Sequence, residues 1–316
     1  TLAYVPGSVD PPQLREAVWV DRQGRQTPLG VRPMEYFFGR VSRDGTQVLL
    51  MGYDVPDHSD IWLFDVERGT MRRQTFEGEN LWGIWGPDEG SLTFESNRDG
   101  PPGLYTKPVD SGPGGAQRLG DGEYPSSWSP DGTSLAFVEW DRLGETGLNI
   151  WVLERGGEAR PVLRNPYFDG YPEFSPDGKW LLYCNDESQR TEVYIRPFPG
   201  PGRAVQISTS GGRAPGWSRD GSEILYRGDD DVYYAVPLHR EGPQLRPGAP
   251  TRLFESLGGT EPVRSWDVAP DGRFLMRRPH ESSIGRRLDM FAPECIHVVL
   301  NWHQEVERIM SAVEHE

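Results

Sequence analysis

Acidic residues recur along the chain at intervals of roughly 45 residues, at Glu35, Glu79, Glu123 and Asp169 and, after one interval without an acid, at Glu261; Arg213 stands in the gap. Carboxylate oxygens converging from separate segments suit Ca²⁺, whereas Zn²⁺ favours Cys and His. A Ca²⁺ ion held by Glu79, Glu123, Asp169 and Glu261 would polarise a phosphoryl or lactone carbonyl oxygen. A second periodic set is Arg40, Ile84, Ser127, Glu173, Gly216 and Asp267. Its charged members, Arg40, Glu173 and Asp267, suit either a ligand site or a buried charge network. His58, within Asp57-His-Ser-Asp60, is the histidine with the most polar surroundings and completes the candidate binding residues. Catalytic signatures are thin: no Gly-x-Ser-x-Gly elbow occurs, and the histidines lack the His-Glu-x-x-His spacing of a metalloprotease.

Residues with that period need a repeated element to position them. It is a turn: Val41-Ser-Arg-Asp-Gly45, Trp85-Gly-Pro-Asp88, Trp128-Ser-Pro-Asp-Gly132, Phe174-Ser-Pro-Asp-Gly178, Trp217-Ser-Arg-Asp-Gly221 and Val268-Ala-Pro-Asp-Gly272. Proline presets φ at the second turn position, aspartate caps a nearby amide and glycine accepts φ > 0. The repetition marks these aspartates as scaffolding, because chemistry usually occurs once per chain. Apolar strand-like runs come after each turn, such as Val48–Met51 and Trp180–Tyr183, and then a third run such as Asp60–Leu63 or Asn149–Val152.

Four short strands per unit predict an all-β fold, a single six-bladed propeller over residues 1–316 with the N-terminal strands completing the last blade. The strands exceed six blades and fall short of seven, so seven is the alternative; Val306–Val313 reads as a short terminal helix. Loops leading into the inner strands share a face with the loops between second and third strands. The latter carry Asp54, Asp57 and Asp60; Glu95, Asn97 and Asp99; Glu139, Asp141 and Glu145; and Asn185, Asp186 and Glu187. That face should be acidic, with the turns at the other. Trp85, Trp128 and Trp217 are expected between blades, and Cys184 and Cys295 as buried thiols.

The unit Tyr-Pro-x-x-Ser-Pro-Asp-Gly-x-x-Leu-x-Tyr, with Asp-Ile-Trp-Leu-Phe-Asp at 60–65, resembles the TolB-like propeller repeat, a relative of WD-type repeats. The flanks "TLAYVPG", "VWVDRQGR", "RPFPGPG" and "VVLNWHQEVERI" resemble the propeller region attached to bacterial Ser/Thr kinases, without any kinase motif in this chain. The resemblance implies a bacterial accessory or sensor domain with an extracytoplasmic location.

A net charge of −15 argues against nucleic acid as a partner, and no apolar run reaches the ~18 residues of a membrane span. Thr1 in place of an initiator Met reads as a processed or excised piece. The leading expectation is a monomeric, non-catalytic binding or scaffold propeller that takes a protein or small molecule on its acidic loop face. The alternatives are a Ca²⁺-dependent propeller hydrolase of phosphotriesterase or lactonase type, and a purely structural spacer.

Overall fold

The computed structural model describes residues 2–4, 14–55, 58–141, 147–242, 244–257, 264–280 and 297–299. The chain divides into two compact units, residues 15–278 and residues 1–14 with 279–316. The expected helix at 306–313, Cys295 and Glu261 lie outside the described residues.

The larger unit is a six-bladed propeller of antiparallel sheets. Blade 1 runs through Glu35–Val41, Gln47–Val55, His58–Asp65 and Thr70–Arg73. Blade 2 uses Asn80–Trp85, Ser91–Ser96, Gly103–Pro108 and Gln117–Asp121. Blade 3 uses Glu123–Trp128, Ser134–Trp140, Leu148–Glu154 and Ala159–Leu163. Blade 4 uses Asp169–Phe174, Trp180–Asn185, Glu192–Pro197 and Val205–Gln206. Blade 5 departs from the four-strand pattern. Its long third strand, Val232–Glu241, pairs at one end with Gln244–Pro247 and at the other with Thr251–Glu255.

Blade 6 joins the two ends of this unit. Asp267–Val268 and Phe274–Pro279 are continued across the sheet by Arg15–Val20 and Gln26–Pro28, so N-terminal strands do complete the last blade. The strands in surplus over six blades belong elsewhere: Leu2–Tyr4 pairs with His297–Val299 as a two-stranded ribbon in the smaller unit.

The turns work as their composition dictates. The hydroxyl of Ser175 donates to Asp177 Oδ1 at 2.6 Å and accepts the amide of Trp180 at 3.0 Å, while Asp177 Oδ1 accepts the amide of Lys179 at 3.2 Å. Ser42 with Asp44, Ser129 with Asp131 and Ser218 with Asp220 repeat the pattern. Gly45, Gly132, Gly178, Gly221 and Gly272 come next with φ between +71° and +80°. In blade 2 Glu89 takes that left-handed position at φ 54°.

Second strands carry the densest core. Every side chain of Trp180–Asn185 is buried, and neighbouring blades pack through clusters such as Trp180, Leu182, Val193, Trp217 and Ile224. Cys184 is buried with a free thiol, which burial pushes far above its ordinary value. Of the turn tryptophans, Trp217 is buried, while Trp85 and Trp128 are only half-buried; all three line a cavity on the axis.

Candidate ligand-binding site at the axial channel

The inner strands are not regular. Register shifts fall between Leu81 and Ile84, between Gly170 and Glu173 and between Arg213 and Gly216, and each spans a residue with positive φ: Trp82, Tyr171 and Ala214. Tyr124 is the counterpart in blade 3. Such bulges kink a strand and re-aim the side chains beyond them. The residues re-aimed here are the ring members Ile84, Ser127, Glu173 and Gly216.

Arg40, Glu173 and Asp267 do come together, with Arg264 and Arg219 beside them. Arg264 ion-pairs with Glu173 through Nη1 and reaches Asp267 Oδ1 through Nη2 at 2.9 Å. Asp267 Oδ2 accepts the Val41 amide at 2.8 Å and lies 3.5 Å from Arg219 Nη2. Arg219 also donates to the carbonyls of Val268 at 2.6 Å and Val41 at 2.9 Å, binding blade 5 to blades 6 and 1. Arg40 Nη1 donates to the carbonyls of Gly39 at 2.9 Å and Trp266 at 3.3 Å.

Gly216 makes this packing possible. A Cβ there would sit 2.8 Å from the Arg264 guanidinium carbon, so the glycine of blade 5 leaves the space that the arginine of blade 6 fills. Burial, with Arg264 alongside, pulls Arg40 down to about 9. Burial likewise pushes Glu173 up against the pull of Arg264. Asp267 is the more deeply buried of the two carboxylates, yet Arg219, Arg264 and Arg40 together hold it below the usual carboxylate range.

This network floors a cavity of about 360 Å³ at the turn end of the axis, lined by residues from every blade. Its walls include Ile84, Trp85, Trp128 and Phe174, and Arg43 and Glu89 also line it. The tryptophans tie blades together: Trp85 Nε1 donates to the Arg40 carbonyl and Trp217 Nε1 to the Glu173 carbonyl, each at 3.2 Å. The sequence reading singled out neither Arg264, which stands three residues before Asp267 as Arg213 stands three before Gly216, nor Arg219. Arg219 left one signal, since it and Arg43 stand where other turns have proline.

The remaining candidates are held within their own blades. Asp169 is fully buried and accepts the side-chain amides of Asn165 at 2.7 Å and Asn185 at 2.8 Å; burial raises it to about 6. Asp60 is likewise buried and raised, and gathers Thr75, Asn80, Arg73 and His58, with His58 Nε2 at 3.1 Å. Arg213 pairs with Asp229. Burial raises Glu35, with Arg15 opposing. The backbone amide of Glu79 donates to Asn97 Oδ1, and Glu123 lies near Glu139, whose carboxyl is raised by burial and then by that neighbour. Glu79, Glu123 and Asp169 are not brought together: among the described residues no group of three or more His, Cys, Asp or Glu side chains could hold a metal ion. For Asp169 the reason is local, since Asn165 and Asn185 of its own blade already occupy both carboxylate oxygens.

No family model matches the chain. The Tol-Pal system protein TolB of Helicobacter pylori J99 is 28% identical over 177 residues, covering 53% of this chain and 42% of that protein. An uncharacterized peptidase of Bacillus subtilis, YuxL, is 27% identical over 202 residues, covering 48% of this chain and 30% of that protein. The chain therefore spans less than half the length of these curated relatives. Among solved structures, a putative TolB from Agrobacterium tumefaciens superposes with a TM-score of 0.63 at 15% identity, over 84% of this chain and 98% of that one. An oligogalacturonate lyase in complex with manganese superposes at 0.53 and 15% identity, over 86% and 98% of the two chains. The chain is a TolB-like β-propeller by fold, distantly related in sequence to TolB and to YuxL.

Proposed function

We propose that this propeller is a non-catalytic binding module, an accessory or sensor domain of a larger bacterial protein, which receives its ligand in the axial cavity at the turn end. The carrying observation is the cavity itself: about 360 Å³, contributed to by all six blades and floored by charged groups already oriented by one another. Pre-positioned polar groups converging in a cavity are what binding sites use for orientation and specificity. The acidic face is the docking surface that the sequence leads one to expect, but its acids Asp60 and Asp169 are committed to partners in their own blades. Relatedness to TolB supports an extracytoplasmic, periplasmic setting, and attachment to a kinase belongs to the same proposal.

Two measurements test the reading. Thermal-shift screening of the intact chain against small metabolites should yield stabilising compounds whose effect is lost in Ser127→Phe, which fills the cavity from its lining. Assays with activated esters, lactones and phosphotriesters, with and without Ca²⁺, should give no turnover. Turnover that survives purification, or stabilising compounds indifferent to Ser127→Phe, would overturn it.

A further inference from the structure

Three guanidinium groups, Arg40, Arg219 and Arg264, share two carboxylates, Glu173 and Asp267, at the floor of the axial cavity. Over the whole lining the cations are Arg40, Arg43, Arg219 and Arg264 and the anions Glu89, Glu173 and Asp267. An excess of positive charge in a protein of net charge −15 is a local feature that composition does not predict. Arg264 and Asp267 are buried, Arg40 is half-buried and the Arg219 side chain is 34% exposed; a cluster so sheltered from water with one more cation than anion is incompletely neutralised, and an anion entering the site relieves that imbalance.

We propose that the cavity is a receptor for one small oxyanion, a carboxylate or a phosphate monoester, bound over the guanidinium cluster. The inference rests on the binding reading given above and narrows its ligand class. Arginine rather than lysine supplies the charge, and the planar guanidinium fork matches two oxygens of a carboxylate or phosphate. The neighbouring carboxylates hold the cluster in place, with Arg264 fixed at both ends by Glu173 and Asp267. Ser127, whose hydroxyl accepts the Phe174 amide at 3.2 Å, and the half-buried Trp85 and Trp128 line the same cavity, where a compact organic group would sit beside the anion. Volume excludes a folded partner from the cavity. The acidic protein around it disfavours polyanions, so a singly or doubly charged ligand is the one that fits.

Calorimetry and thermal melting of the intact chain with sodium phosphate, sodium acetate and sodium chloride at matched ionic strength test this. Phosphate or acetate should bind with one-to-one stoichiometry and raise Tm, chloride should not, and the stronger of the two identifies the headgroup. Arg40→Met should weaken that binding at least tenfold. Ser127→Asp adds a carboxylate to the lining, so it should raise the Tm of the ligand-free protein and abolish the anion response. Silence of the wild type towards both oxyanions, or an undiminished response in Ser127→Asp, would overturn the proposal. If both anions are silent while other compounds still give shifts that Ser127→Phe removes, the oxyanion inference fails and the binding reading stands.

Discussion

Gly132 lies against Pro87 so closely that a Cβ at Gly132 would sit 2.8 Å from the Cβ of the proline. The turn glycine of one blade thus rests on the turn proline of the blade before it. Pro130 with Gly178, Pro176 with Gly221 and Pro270 with Gly45 repeat the contact, the last across the ring closure. Where Arg219 replaces the proline, the next glycine, Gly272, has nothing within 4 Å of a Cβ.

This contrast yields a paired prediction. Gly132 and Gly272 both have left-handed backbones, at φ +71° and +80°, so alanine at either incurs a conformational cost of about 1–2 kcal/mol. Only Gly132→Ala also overpacks against Pro87, which adds roughly 1–3 kcal/mol. Urea denaturation should therefore rank Gly132→Ala below Gly272→Ala, and equal losses would show that the interblade contact is slack.

Asp177→Ala should cost about 0.5–2 kcal/mol, the usual loss of a side-chain cap, and leave ligand-induced shifts at the axial cavity intact. Asp177 holds Ser175 and the Lys179 amide and pairs with Arg240 at 2.9 Å, but it does not line the cavity. A variant with unchanged stability and lost binding would contradict the scaffold role.

Asp169 predicts a pH dependence of unusual sign. Burial raises its folded-state value to about 6 from 3.8, so between those values the folded protein binds more protons than the unfolded chain. Its contribution is greatest below pH ~4, falls as pH rises through about 6, and is level above that. Exposed turn aspartates such as Asp131, held low chiefly by the Ser129 hydroxyl, act the opposite way and lose their contribution as pH falls below about 4. Thermal melts from pH 4 to 7 should show the Asp169 slope, and Asp169→Asn should flatten it; an unchanged slope would assign the titration elsewhere.

Ca²⁺ should leave the melting temperature unmoved, because a ligand stabilises only by binding the folded state in preference to the unfolded one, and Glu79, Glu123 and Asp169 form no shared site. A saturable rise in Tm would restore the metal-dependent reading.

The six turns were legible because their chemistry is local. Proline, aspartate and glycine at fixed offsets determine backbone angles over a few residues, and the Ser175–Asp177–Lys179 bonds are what those residue types form. Alternation and aromatic content likewise announced the second strands, and the unpaired counts at the two ends implied closure by Arg15–Val20 and Gln26–Pro28. Less legible was the extra strand of blade 5, Gln244–Pro247, because a ten-residue strand serving two partners reads as one ordinary strand.

By itself, then, the sequence determined the repeat, the turn chemistry, the all-β class and the set of ring residues that includes Arg40, Glu173 and Asp267. Tertiary structure alone decided which charges meet. Arg264 reaches Glu173 from 91 residues away in the chain, and Arg219 reaches Val41 from 178 residues away. Nothing in a local window encodes such pairs, since they depend on ring closure and on a missing side chain at Gly216 that opens the space. Among the described acids leading into the inner strands, Glu79, Glu123 and Asp169 form no shared metal site, and Asp169 is instead held within its own blade by Asn165 and Asn185.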